Sequence, residues 1–144
     1  MADSATNKIT GILLVTHADY GKALIDAAKF IVGDQPRLAS IGVDASSDVG
    51  ATVGAIKECI KELDGGNGVL ILTDMFGGTP TNLSLSLLTA GKVEVITGVN
   101  LPMLIKVLQH RGQTPQEMAG LAKNAGVQGI VVAGEVLRKK IAAS

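Results

Sequence analysis

Two residues of this chain carry chemistry that could work together: His17, which directly follows the aliphatic run ILLVT, and Asp74, which directly follows VLILT. An imidazole near neutral pH is largely uncharged and can attack through a free ring nitrogen. A carboxylate that accepts from Nδ1–H would fix the tautomer and leave the Nε2 lone pair outward. Beyond Asp74, Gly77-Gly78 lets the backbone approach a ligand, and Thr79-Pro80 opens a helix whose free N–H groups favour an anion. Attack on a phosphoryl group is the chemistry that suits this set. Taken singly, each part also has a plain reading: His17 as a surface loop histidine, Asp74 as a turn residue, the glycine pair as an ordinary loop.

To bring His17 and Asp74 together, the chain must place two strand ends side by side. Four apolar runs bounded by turn residues read as buried strands: Ile9 to Thr16, Leu38 to Val43, Val69 to Thr73 and Val93 to Thr97. Helical periodicity lies between them. Leu24, Ala27, Ala28 and Ile31 predict one apolar face, and Val49, Val53, Ile56, Ile60 and Leu63 predict a second. Thr79 is expected as an N-cap with Pro80 at the first helical position, although Leu83-Ser84-Leu85-Ser86-Leu87 alternates as a strand would. Leu101, Leu104, Ile105 and Leu108 mark a fourth helix. Thr114-Pro115-Gln116-Glu117 reads as a capping box for a fifth, with Met118, Leu121, Ala122 and Ala125 inward. Gly129 to Ala133 is a last apolar run, expected as a fifth strand.

This order predicts an α/β fold: an open, doubly wound, mostly parallel sheet with helices on both faces, in a single domain spanning residues 1–144. Residues 1–7 are expected to be flexible. In such sheets ligands collect beyond the carboxyl ends of the strands where the strand order reverses. Strand order 2-1-3-4 would put His17 and Asp74 in that crevice.

Other residues offer less. His110, beside Arg111, suits a helix C-terminus on dipole grounds alone. Cys59 falls on the Ile56/Ile60 face and reads as a small buried hydrophobe. Met75 and Phe76 lie in the loop after Asp74, where apolar residues beside a reactive group form docking surfaces. No GxxxxGK[ST], GxGxxG, HExxH or GxSxG pattern occurs, so the usual nucleotide, dinucleotide, zinc-protease and hydrolase signatures are missing. No metal or cofactor is expected.

Composition narrows the class further. Apolar residues make up 47% of the 144 and charged residues 18%, enough for a hydrophobic core, while the only aromatics are Tyr20, Phe30 and Phe76. The core must therefore be aliphatic. Thirteen basic residues balance thirteen acidic ones, which removes long-range attraction for nucleic acid or an anionic membrane. One cysteine fits a reducing compartment, and no apolar run is long enough to span a membrane. A cytoplasmic protein is expected.

Three ordered segments carry a family resemblance across nearly the whole chain. ILLVTHADYGKAL, VLILTDMFGGTPTNLS and TGVNLPML resemble the first strand, third strand and fourth strand-to-helix junction of the enzyme IIA domain of mannose-type phosphotransferase systems. The resemblance implies that His17 accepts a phosphoryl group from the phosphohistidine of HPr and passes it to a IIB component. It also implies that Asp74 orients His17 and that Gly77, Gly78 and Thr79 lie against the phosphate. Members of that family are usually homodimers that exchange a C-terminal strand, which implies such a strand in Gly129 to Ala133. Relatives often carry a glycine after the histidine and a tryptophan in a DTWGGSP motif, where this chain has Ala18 and Phe76. The chain ends without a IIB domain and is expected to be a standalone IIA. Two alternatives stand below this reading: a related phosphocarrier serving dihydroxyacetone kinase, whose second motif is closer to DMGS, and a module that binds an anion without covalent chemistry.

Overall fold

Four parallel strands, β1 (Gly11–His17), β2 (Leu38–Val43), β3 (Val69–Thr73) and β4 (Val93–Thr97), form one sheet in the order β2-β1-β3-β4. The computed structural model describes residues 8–89 and 91–143, so the stretch 1–7 expected to be flexible lies outside the described residues. β1 and β3 are central, and every residue of β3 is buried. That double-sided burial explains their unbroken aliphatic sequences. The helices are α1 (Tyr20–Val32), α2 (Val49–Leu63), α3 (Thr79–Leu85), α4 (Leu101–Leu108), α5 (Pro115–Gln128) and α6 (Ala133–Ala143).

Alternation along the central strands divides the core in two. Ile12 and Leu14 of β1, with Leu70 and Leu72 of β3, pack under α1, α4 and α5 through Ile25, Ala28, Met103, Leu104, Val107, Met118 and Ala122. Leu13, Val15, Val69 and Ile71 face the other way, toward Ile56 and Leu63 of α2, Leu83 of α3 and Leu87 just past its end. Helices therefore cover both faces, as the sequence predicts. The core is aliphatic throughout, with Tyr20, Phe30 and Phe76 all exposed.

The sequence reading needs correction in three places. The buried face of α1 runs through Gly21, Ile25 and Ala28, not through Ala27 and Ile31, which are exposed. Its register is set by Gly21, whose backbone N–H donates to the buried Thr16 hydroxyl at 2.8 Å and draws the first turn onto β1. The N-cap of α3 is Gly78 rather than Thr79, and it gives no side-chain capping bond. The capping box at Thr114 and Glu117, by contrast, forms as predicted.

The third correction concerns the C-terminus. The run from Gly129 to Ala133 is no strand: α5 ends in a turn at Gly129, an apolar linker follows, and Ala133 begins α6. A strand needs an edge to pair with, and the near edge of β4 is partly occupied. Val93 N–H donates to the Thr89 carbonyl, and Val95 N–H donates to the Glu94 carboxylate. From Ala133 the sequence AGEVLRKKIAA is rich in strong helix formers. No buried residue lies in α6, and Ile130, Val131, Val132, Val136 and Leu137 are exposed. Among the described residues, no helix is long and apolar enough to cross a membrane.

Candidate functional site

β1 and β3 are hydrogen-bonded neighbours at the reversal of strand order, with Val15 opposite Thr73. His17 is the last residue of β1 and Asp74 the first beyond β3, so the two strand ends deliver them to one crevice. One carboxylate oxygen of Asp74, Oδ2, accepts from the His17 backbone N–H at 2.9 Å and lies 2.7 Å from its ring Nδ1. The other, Oδ1, accepts from the Met75 N–H at 3.0 Å. All three interactions favour the charged carboxylate. Partial burial pushes the Asp74 carboxyl up, but the hydrogen bonds and charge of His17 outweigh it and hold the group below the ordinary carboxylate range. An ionised carboxylate only accepts, so Nδ1 carries a proton, and in the neutral ring Nε2 is the nitrogen that keeps its lone pair.

Exposure fits this division. The His17 side chain is 51% exposed and that of Asp74 13%, which puts the reactive ring in solvent and its partner under cover. Beyond Asp74, residues 75–78 form a turn, exposed at 75–77, with Gly77 at φ +85°, a conformation that glycine adopts without strain. Gly78 lies against the imidazole: a Cβ built there would sit 2.9 Å from Cε1 and 3.5 Å from Nε2. Thr79 is exposed at the first position of α3. All five residues singled out in the sequence thus lie in one place, with Met75 and Phe76 exposed beside them.

Ala18 completes the turn out of β1. Its N–H donates to the Val43 carbonyl at 2.8 Å, and its φ is +48°. A left-handed conformation costs an L-residue roughly 1 kcal/mol or more and costs glycine little. This chain therefore holds a strained alanine where the resembling family often has glycine. Ala18→Gly is expected to raise stability by about 1 kcal/mol, less the extra unfolded-state entropy of glycine, and to show as a higher Tm.

The remaining candidates lie elsewhere. The Nδ1 of His110 is 2.9 Å from the Lys106 carbonyl at the far end of α4. Cys59 packs partly buried on α2, and burial, with the Glu62 charge, pushes its thiol up, which makes it a poor nucleophile. Sequence reasoning missed a layer of buried hydroxyls under the site: Thr16, Thr73 and Thr81. Thr16 and Thr73 show in the sequence as polar residues at the ends of otherwise aliphatic strands; Thr81, inside α3, has no such signal.

Comparison with known proteins decides the family. A family model described as PTS system fructose IIA component, of the mannose-type EIIA family, matches residues 11–125. The chain belongs to this family. The mannose-specific EIIAB component of Escherichia coli K12 is 30% identical over 122 residues, which are 83% of this chain and 38% of that protein. The chain thus spans well under half the length of that relative. The sorbose-specific EIIA component of Lacticaseibacillus casei is 35% identical over 97 residues, 67% of this chain and 70% of that protein. Among solved structures, phosphotransferase system component EIIA from Streptococcus agalactiae matches with a TM-score of 0.80 at 24% identity, over 88% of this chain and 99% of that one. As a mannose-type IIA component, the chain is part of a phosphotransferase system.

Proposed function

We propose that this IIA component is a phosphocarrier: His17 Nε2 takes a phosphoryl group from the phosphohistidine of HPr and gives it to a IIB component. The observation that supports this reading most is the 2.7 Å contact of His17 Nδ1 with Asp74, which leaves Nε2 free in an exposed ring. In the step, the lone pair of Nε2 forms the new N–P bond as the N–P bond to the donor histidine breaks. The electron pair returns to the donor nitrogen. The Nδ1 proton stays on the ring and is donated to Asp74, whose carboxylate stabilises the positive charge that develops there. Positioning and charge stabilisation carry such a transfer. Gly78 lies against the Cε1 edge of the ring, and the turn of Gly77, Gly78 and Thr79 receives the phosphoryl oxygens. Exposed Met75 and Phe76 then meet the partner proteins. We place the protein in the cytoplasm, with its donor. Incubation with phosphorylated HPr tests the reading: base-stable, acid-labile phosphate mapping to His17 is expected, and its absence overturns the proposal.

Gly78 gives a sharper check on the geometry. Its backbone, at φ −81° and ψ 165°, suits alanine, so Gly78→Ala adds no backbone strain. The nearest atoms to the added methyl are the imidazole edge and Met75 Cγ. A half-exposed ring can swing aside cheaply, but it then leaves Asp74. Transfer is expected to slow on the order of 10²-fold, the effect of a misplacement of about 1 Å, while the melting temperature hardly moves. A single-turnover assay beside a thermal melt checks both.

We further propose a homodimer whose second copy covers the C-terminal arm. The support is the arm itself: six exposed aliphatic residues, Ile130, Val131, Val132, Val136, Leu137 and Ile141, on a segment without a buried residue. The full chain should sediment as a dimer at micromolar concentration and Val132→Asp as a monomer. A monomeric full chain sinks this reading.

A further inference from the structure

Thr81 is buried in the first turn of α3, and its hydroxyl donates to the Met75 carbonyl at 2.7 Å. The same oxygen lies 2.6 Å from the hydroxyl of Thr73, the buried last residue of β3. A threonine hydroxyl has one proton to give. With that of Thr81 committed to Met75, Thr73 must be the donor between the two hydroxyls. The chain of bonds is then directed: Thr73 O–H to Thr81 Oγ1, and Thr81 O–H to the Met75 carbonyl.

Met75 is held at both ends. Its carbonyl accepts from Thr81, and its N–H donates to Asp74 Oδ1, the carboxylate oxygen not used by His17. The Met75 carbonyl also begins the turn that returns to Gly78, whose N–H lies 3.5 Å away. Both contacts of the imidazole, Asp74 at Nδ1 and Gly78 at the Cε1 edge, therefore hang on a turn fixed from below at one carbonyl. We infer that Thr81 is a positioning residue for phosphoryl transfer: through Met75 it sets the rotamer of the Asp74 carboxylate, and through Asp74 the tautomer and direction of His17. The inference rests on His17 being the phosphoryl acceptor.

Thr81→Val keeps the shape and removes the hydroxyl. The turn loses its fixed point, the Asp74 carboxylate gains freedom, and the proton is no longer confined to Nδ1. Ring ¹⁵N NMR of free Thr81→Val is expected to show a mixture of His17 tautomers where the parent shows one. Transfer from phosphorylated HPr is expected to fall about tenfold in kcat with KM unchanged, since misalignment acts on the bound state. Thr81→Ser, which restores the hydroxyl, is expected to recover both tautomer and rate. Thr81→Cys, a weak donor of similar size, carries the same expectation as valine and is made in parallel in case valine does not fold. A folded valine or cysteine variant with the parental tautomer and rate, even with a lower melting temperature, overturns the inference and leaves Thr81 a structural tie. Failure of the underlying reading looks different: label would then persist in His17→Gln, while the tautomer measurement needs no partner protein at all.

Discussion

His17→Gln is expected to accept no phosphoryl group from phosphorylated HPr while melting close to the parent temperature. The amide can occupy the imidazole's space and hydrogen-bond to Asp74, but its nitrogen lone pair is delocalised and cannot attack phosphorus. Stability should change little, because the His17 side chain is half exposed and belongs to neither core cluster. No second histidine can stand in. His110 lies next to Arg111, whose carbonyl accepts from Thr10 N–H at the amino end of β1. The strand from that end to His17 is seven residues long, His17 included, roughly 20 Å at the usual rise per residue. Labelling, chromatography and peptide mapping of parent and variant decide the matter. Phosphate on the glutamine variant would move the acceptor elsewhere.

The parts of this site legible in the sequence are those fixed by strand ends. Each central strand is a largely aliphatic run, a pattern that suits a sheet buried on both faces, and a residue able to do chemistry ends β1 and directly follows β3. Topology then does the rest, because order β2-β1-β3-β4 makes the ends of β1 and β3 neighbours. What stayed hidden depends on contacts that a local pattern does not record. The face of α1 is turned by one bond from Gly21 to Thr16, and Thr81 reads as a mediocre helix residue until its bond to the Met75 carbonyl above it is seen. The run from Gly129 to Ala133 has a strand's composition, yet pairing requires a free edge, which composition cannot report. Ala18 is the intermediate case. Its departure from the family's glycine is plain in the sequence, but its meaning as backbone strain needs φ.

Asp74→Asn separates charge from shape at the centre of the site. Aspartate accepts from three donors: His17 N–H and Nδ1–H at one oxygen, Met75 N–H at the other. Asparagine has one acceptor oxygen and one donor group, so neither orientation satisfies the set. With its oxygen toward His17, its NH₂ confronts Met75 N–H. Flipped, the NH₂ confronts His17 and drives the ring proton to Nε2, which removes the lone pair that attacks. The closest analogue is the aspartate-to-asparagine change in serine proteases, where a wrong histidine tautomer costs about 10⁴ in rate. Here the expected loss of transfer is between about 10² and 10⁴, with about 1 to 3 kcal/mol lost from the frustrated donors. The acid limb should change as well. Because the folded state holds Asp74 below its ordinary range, that carboxylate's contribution is complete above about pH 4 and disappears as pH falls through the lowered value. Stability of the parent should therefore fall more steeply than that of the variant below about pH 4. Parallel acid titrations by circular dichroism would show the divergence, and identical limbs would mean that the carboxylate draws no stability from His17.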